Sequence, residues 1–212
     1  MSWKTRVTRF SRVTKATIFV CMVALPLIGG SSAKAFTLLP GNPKWPNAQA
    51  CYIVDAGTMS STEANLVSTA LQNWNGAGGT SWLFFFGSSC GNHIKKAALS
   101  SSDCSNGVLA RTSQSYSGST MLGYTVTINN NCGTAWYEGQ FSYIPSNYMD
   151  FTSVARHELG HGIGLCHSGV NGRLMYRLLS TGTAYGIDTD ARNALAYLYG
   201  STSANPEGSC YP

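Results

Sequence analysis

The sequence predicts an α+β fold, and three observations carry that prediction. Helical periodicity marks one stretch that starts at Ser60 and another that starts at Asp150. Between them lie short apolar segments of strand length, separated by Gly, Asn and Ser. No repeat, linker or appended module interrupts the pattern, so helices and strands are expected to share one layered domain.

Taken in order, residues 51–55 (CYIVD) read as a strand after the Pro-rich entry PGNPKWP. Ser60 can cap the helix that follows, and Glu63, three residues on, completes a capping box. Leu66, Val67, Ala70, Leu71 and Trp74 recur at helical spacing and define a core-facing stripe, which ends at the glycines of 76–79. Residues 82–86 (WLFFF) predict a buried strand, 93–99 a third, and 107–113 and 124–129 two more. A long polar segment rich in Tyr, Asn and Gly leads to Asp150, which can cap a helix with Val154, Ala155 and Leu159 facing the core. A last helix is expected over about 190–199, with Ala194, Leu195 and Leu198 on one face.

The N-terminal 35 residues read as a signal peptide. Lys4, Arg6, Arg9, Arg12 and Lys15 precede a largely apolar run over 16–28, and Ala33-Lys34-Ala35 is an A-x-A cleavage site. The run is too short and too broken by Pro26 for a membrane span. Cleavage would leave 36–212 as a single domain, secreted and with no membrane attachment.

The chain holds 14 Lys+Arg against 9 Asp+Glu. Six of the basic residues and none of the acids fall in 1–35, so the remainder has eight against nine, a net of −1. That balance excludes a nucleic-acid partner. Only 11% of residues are charged, against about a quarter in ordinary chains, and Ser, Thr, Gly, Asn and Tyr take their place. Apart from Cys21 there are six cysteines, an even number that in an exported chain favours disulfides, with fifteen full pairings open. Cys90–Cys104 is the pairing expected, because a short polar loop joins them; Cys166 is the candidate free thiol. No C-x-x-C pair supports a thiolate metal cluster.

Residues 157–167 read HELGHGIGLCH. Residues four apart share a helix face, so His157 and His161 can aim two imidazoles at one metal. Glu158 adjoins the first ligand, where it can serve as general base without binding the metal. Gly164 supplies the backbone freedom that ends the helix, and the returning chain can deliver His167 as a third ligand. Three imidazoles leave a fourth position open, the arrangement of a catalytic rather than a structural zinc.

This pattern resembles the zinc signature of the metzincin peptidases, and within them the matrixins. Ser168 follows the third histidine as matrixins usually place it. Leu174-Met175-Tyr176 resembles the Met-turn that lies beneath the zinc, ALAYLYG at 194–200 the C-terminal helix, and PKW at 43–45 the start of the catalytic domain. The resemblance implies a twisted, mostly parallel sheet of about five strands with an active-site helix, a backing helix and a C-terminal helix. It implies a zinc endopeptidase acting on proteins or peptides, with the exposed strand 107–113 holding substrate by β-augmentation.

The departures narrow the expectation. Arg111 stands where a histidine for a second, structural zinc would be expected, and only His93 remains outside the motif, so one zinc is expected. Arg177, two residues after the Met, argues against the astacin branch. Residues 36–50 contain no cysteine, so latency through a cysteine on the zinc is not expected. Acids are too sparse for calcium to be read, and oligomeric state is not legible.

In matrixin-like sites the pocket for the residue after the scissile bond lies between the active helix and the segment after the Met-turn. Ser153, one turn before the first ligand, is expected to leave that pocket deep, with Tyr176 and 178–183 as its other wall. Cleavage before Leu, Met or Phe is expected. The rival reading is a zinc-holding binding or toxin-like protein without turnover. Glu158 argues against it, since metal binding alone does not require that carboxylate.

Overall fold

The structure, a computed structural model, describes residues 36–139 and 143–200 together with Pro206 and Cys210. The expected signal peptide lies outside the described residues. Among the described residues seven strands are formed: β1 (Gln49–Val54), β2 (Leu83–Phe86), β3 (His93–Ala97), β4 (Ala110–Ser117), β5 (Thr120–Asn129), β6 (Trp136–Tyr137) and β7 (Met149–Asp150). The α-helices are α1 (Ser61–Trp74), α2 (Ser101–Ser105), α3 (Phe151–Ile163) and α4 (Thr189–Tyr199).

The first five strands make one sheet in the order β2-β1-β3-β5-β4. Every pairing is parallel except β4 with β5, which leaves β4 as an antiparallel edge. This is the mostly parallel, five-stranded α+β architecture the resemblance implies. The helices α1 and α3 pack on each other; α1 also contacts β2, and α3 contacts β4 and β5.

Capping chemistry starts the helices where the sequence predicts. Ser60 Oγ accepts from the Glu63 amide at 3.1 Å, and the Ser60 amide donates to the Glu63 carboxylate at 2.7 Å. Leu66, Val67, Ala70, Leu71 and Trp74 are all buried along α1. Asp150 caps α3 through the Ser153 amide at 2.9 Å. Only Arg156 and His161 in α3 are not fully buried, as expected of a helix enclosed on all sides. The carbonyls at its end are satisfied from far away in sequence. Trp45 Nε1 donates to Gly162, Tyr199 Oη to Ile163 (each 2.8 Å), and the Leu39 amide to Gly164.

Several boundaries differ from expectation. The fourth strand begins at Ala110, not 107, and runs on to Ser117; a tight turn at Gly118-Ser119 returns it as β5 from Thr120, not 124. On the β4 side the extra pairs, Gln114 to Ser117, are polar apart from Tyr116 and mostly exposed, so no apolar run marked that extension. The helix α2, capped by Ser100 and Asp103, and the short β6–β7 pair were not expected. The helix α4 is capped by Asp188 through the Ala191 amide at 3.0 Å.

The expected Cys90–Cys104 pairing is incorrect. The disulfides are Cys51–Cys90, Cys104–Cys132 and Cys166–Cys210. Fourteen residues along the chain mean little here, because β3 intervenes between Cys90 and Cys104. Parallel pairing of β1 with β2 instead brings Cys51 back to the turn after β2, with Cα atoms 5.8 Å apart. Cys166, the candidate free thiol, is bonded to Cys210.

Candidate metal centre and active site

The site is assembled on α3 and the loop that leaves it. Gly164 adopts φ 118° and ends the helix in a left-handed conformation; a Cβ there would lie 3.1 Å from the Pro43 carbonyl oxygen. The chain then turns so that the His167 ring comes to 4.8 Å from that of His161 and 5.3 Å from that of His157, between centroids. Thr37 steadies the turn, its amide oxygen accepting from Cys166 and its hydroxyl donating to the His167 carbonyl at 2.5 Å.

Backbone carbonyls decide which nitrogens face inward. His157 Nδ1 lies 2.7 Å from the Leu174 carbonyl oxygen, and His161 Nδ1 lies 2.8 Å from that of Leu165. A carbonyl only accepts, so each Nδ1 carries the proton and each Nε2 keeps its lone pair. Those two Nε2 atoms stand 3.1 Å apart. Two nitrogens bound tetrahedrally at ~2.0–2.1 Å from one zinc would stand roughly 3.3–3.4 Å apart, so the spacing suits a shared ion. A ligand nitrogen of His167 joins them, all three within 4.8 Å of one another. Burial pushes the pKa of His157 and of His161 down to about 4, so both are neutral at physiological pH, as metal ligation requires.

The Glu158 side chain is buried, and Thr112 Oγ1 donates to one of its carboxylate oxygens at 2.6 Å. Burial pushes the carboxyl's pKa up, opposed by His161, the Thr112 hydroxyl and Arg111. Met175 is buried beneath the helix, so close to Gly160 that a Cβ on that glycine would meet its sulfur at 2.5 Å. The Met-turn is held to the third-ligand loop by the Ser168 amide, which donates to the Met175 carbonyl at 2.7 Å.

A cavity of about 280 Å³ opens beside these groups. Its lining includes His157, Glu158 and His167 together with Val108, Val154 and Leu179. Ser153 is not part of that lining. It is fully buried, its hydroxyl donating to Asp150 and accepting from the Tyr185 amide, while Val154 faces the cavity in its place. Tyr176 bridges to Ser168 and also lies outside the lining, where Arg177, Leu178 and Leu179 appear instead. Of the two basic-strand residues singled out by the sequence, Arg111 pairs with Asp103, and His93 Nδ1 lies 2.8 Å from Asp55.

Three contributors went unnoticed in the sequence. Asp188 caps α4 and also accepts from the Leu174 amide at 2.6 Å, linking that helix to the carbonyl that orients His157. An acid three residues before the Ala191 amide was a legible capping signal. Val154 was read only as core. Thr112 carried no signal, because its contact with Glu158 spans 46 residues.

The matrixin family model matches residues 44–200. Human neutrophil collagenase is 30% identical over 200 residues, which cover 87% of this chain and 39% of that protein. This chain therefore spans well under half the length of that relative. The three histidines, the glycine-ended helix and the methionine beneath it lie within the matched segment, and the chain belongs to the matrixin family of zinc metallopeptidases.

Proposed function

We propose that this chain is a secreted endopeptidase in which His157, His161 and His167 hold one zinc and Glu158 is the general base. The observation that carries the reading is the pair of Nε2 atoms 3.1 Å apart, each freed for a metal by a carbonyl-bound Nδ1, beside a buried carboxylate that is not one of the ligands. When bound, zinc polarises a carbonyl and lowers the pKa of water towards roughly 7.

The chain's own groups supply the rest. Glu158 takes the proton lost by the attacking water at its free carboxylate oxygen and hands it to the leaving nitrogen. Met175 shapes the floor without acting as a ligand. The edge strand β4 offers its unpaired side to an extended peptide, which would lengthen the sheet by one strand. The side chain after the scissile bond enters the cavity between Val154, Val108 and Leu179. Those apolar walls favour Leu, Met or Phe, at roughly 0.8 kcal/mol per methylene buried. Arg177, exposed on the same rim, gives acidic side chains a secondary advantage.

The A-x-A site Ala33-Lys34-Ala35 and three disulfides support export to an oxidising compartment. From the collagenase we extend only peptide-bond hydrolysis, not collagen. The deciding experiment is Glu158→Gln measured beside the parent on a peptide library. Zinc should stay bound while cleavage falls by roughly 10²–10⁴. Cleavage by the variant at nearly the parent rate would refute the role of Glu158.

A further inference from the structure

Thr112 lies midway along β4, paired with Val126 of β5, on the face that turns towards α3. Its Oγ1 stands 2.6 Å from Glu158 Oε2 and 3.0 Å from the Glu158 carbonyl oxygen. A hydroxyl has one proton to give, and the shorter contact to the acidic group is the stronger claimant. Two residues on, Gln114 Nε2 donates to the His161 carbonyl at 2.8 Å, so β4 is fastened to α3 on both sides of the catalytic turn.

Such a contact is well suited to aiming a carboxylate. The last torsion of a glutamate is broad, and a carboxylate in a buried site is otherwise oriented only by packing. A threonine is stiff at χ1, and this one rides on a strand held by its neighbour. Binding one carboxylate oxygen fixes the plane of the group and leaves the other oxygen for the proton. Alanine or valine at 112 would keep the strand and lose the aim.

We propose that Thr112 is a positioning residue for Glu158, setting the orientation of the carboxylate that takes the proton. The proposal rests on the function proposed above for Glu158. It distinguishes this site from one that needs only three histidines and a glutamate.

The test compares the parent with Thr112→Ser and Thr112→Val, measuring zinc per chain, kcat and KM on a fluorogenic peptide, and the denaturant midpoint. Thr112→Val should keep one zinc and a KM within about twofold while kcat falls about tenfold, the scale of one hydrogen bond to a charged group. Thr112→Ser, which restores the hydroxyl, should stay within about twofold of the parent in both constants. The midpoint drop caused by Thr112→Val should shrink when Glu158 is already Ala, because only the contact with the carbonyl of residue 158 then remains to be lost.

Unchanged kcat in Thr112→Val overturns the proposal, as does an equal loss in Thr112→Ser. Loss of zinc or of the fold in Thr112→Val, or a midpoint drop that is undiminished beside Glu158→Ala, assigns the threonine to holding β4 on the helix and equally overturns it. A parent that binds zinc yet cleaves no peptide refutes the proposed function instead, and the midpoint comparison still decides whether the two side chains are coupled.

Discussion

From Phe151 to Ser168, no residue is exposed, and each histidine of the first pair is anchored through its second nitrogen to a backbone carbonyl. Across the cavity the wall is built differently. Arg177, Leu178 and Ser180 are exposed, Leu178 at 59%, and β4 alternates exposed with half-buried residues from Arg111 to Ser115. The floor is thus a contiguous, buried stretch whose first two histidines are each fixed by a backbone carbonyl, whereas the wall is assembled from distant segments with little burial. The difference separates two properties. In the proposed mechanism, metal binding and proton transfer fall to the floor, where one lost contact leaves a buried group unsatisfied. Substrate choice, in the same proposal, falls to the wall, where side chains can change at small cost.

The largest effect should follow from breaking the floor at a ligand. Changing His161 to Ala should remove zinc and abolish cleavage; metal analysis after gel filtration checks the first and a peptide assay the second. Retained stoichiometric zinc would show that His161 is not a ligand. Next come the disulfides. Changing both Cys51 and Cys90 to Ser should lower stability by about 2–5 kcal/mol, read from urea unfolding, because the bridge closes a loop between two paired strands. Alkylation without reductant should modify none of the six cysteines outside Cys21, and modification of Cys166 would contradict the pairing with Cys210.

Asp188 joins the floor to α4, and its replacement by Ala removes a cap and the acceptor for the Leu174 amide. A loss of about 1–3 kcal/mol is expected. Zinc should dissociate faster as well, since Leu174 orients His157. An unchanged midpoint and dissociation rate would break that link.

Acid should weaken the floor through the same imidazoles. Their folded pKa is depressed from 6.5 to about 4, so the unfolded chain takes up protons that the folded chain refuses. Their contribution is complete above 6.5 and is lost as pH falls from there towards 4. Glu158, with its raised pKa, works the other way over part of that range, but one carboxyl opposes two imidazoles. The metal-free protein should therefore unfold at lower urea at pH 5 than at pH 7, and a higher midpoint at pH 5 would reverse the account.

The smallest effect belongs to the wall. Replacing Leu179 by Phe should narrow the cavity and shift preference after the scissile bond towards smaller residues by a few-fold, about the scale of one or two methylenes. A library profile identical to the parent's would place that side chain's pocket elsewhere.

The same contrast explains what could be read from the sequence. The floor was legible because its spacing is local: helix geometry pairs His157 with His161, and Gly164 marks the turn to His167. Caps at Ser60 and Asp150 were legible for the same reason. Ser153 was expected at the pocket because matrixin-like sites use the position one turn before the first ligand, but it lies outside the cavity lining. A short polar side chain in the first turn bonds to the cap instead, and its hydroxyl went to Asp150 and Tyr185. The cysteine pairs and Thr112 depend on strand order and register, which one sequence does not specify.

Titration of the chelator-stripped protein with zinc, following peptide cleavage after each addition, tests the central claim most directly. Cleavage should rise in proportion to added zinc and level off at one equivalent per chain, as expected for the cluster formed by His157, His161 and His167. No cleavage at one equivalent, or a second equivalent needed for activity, would contradict it.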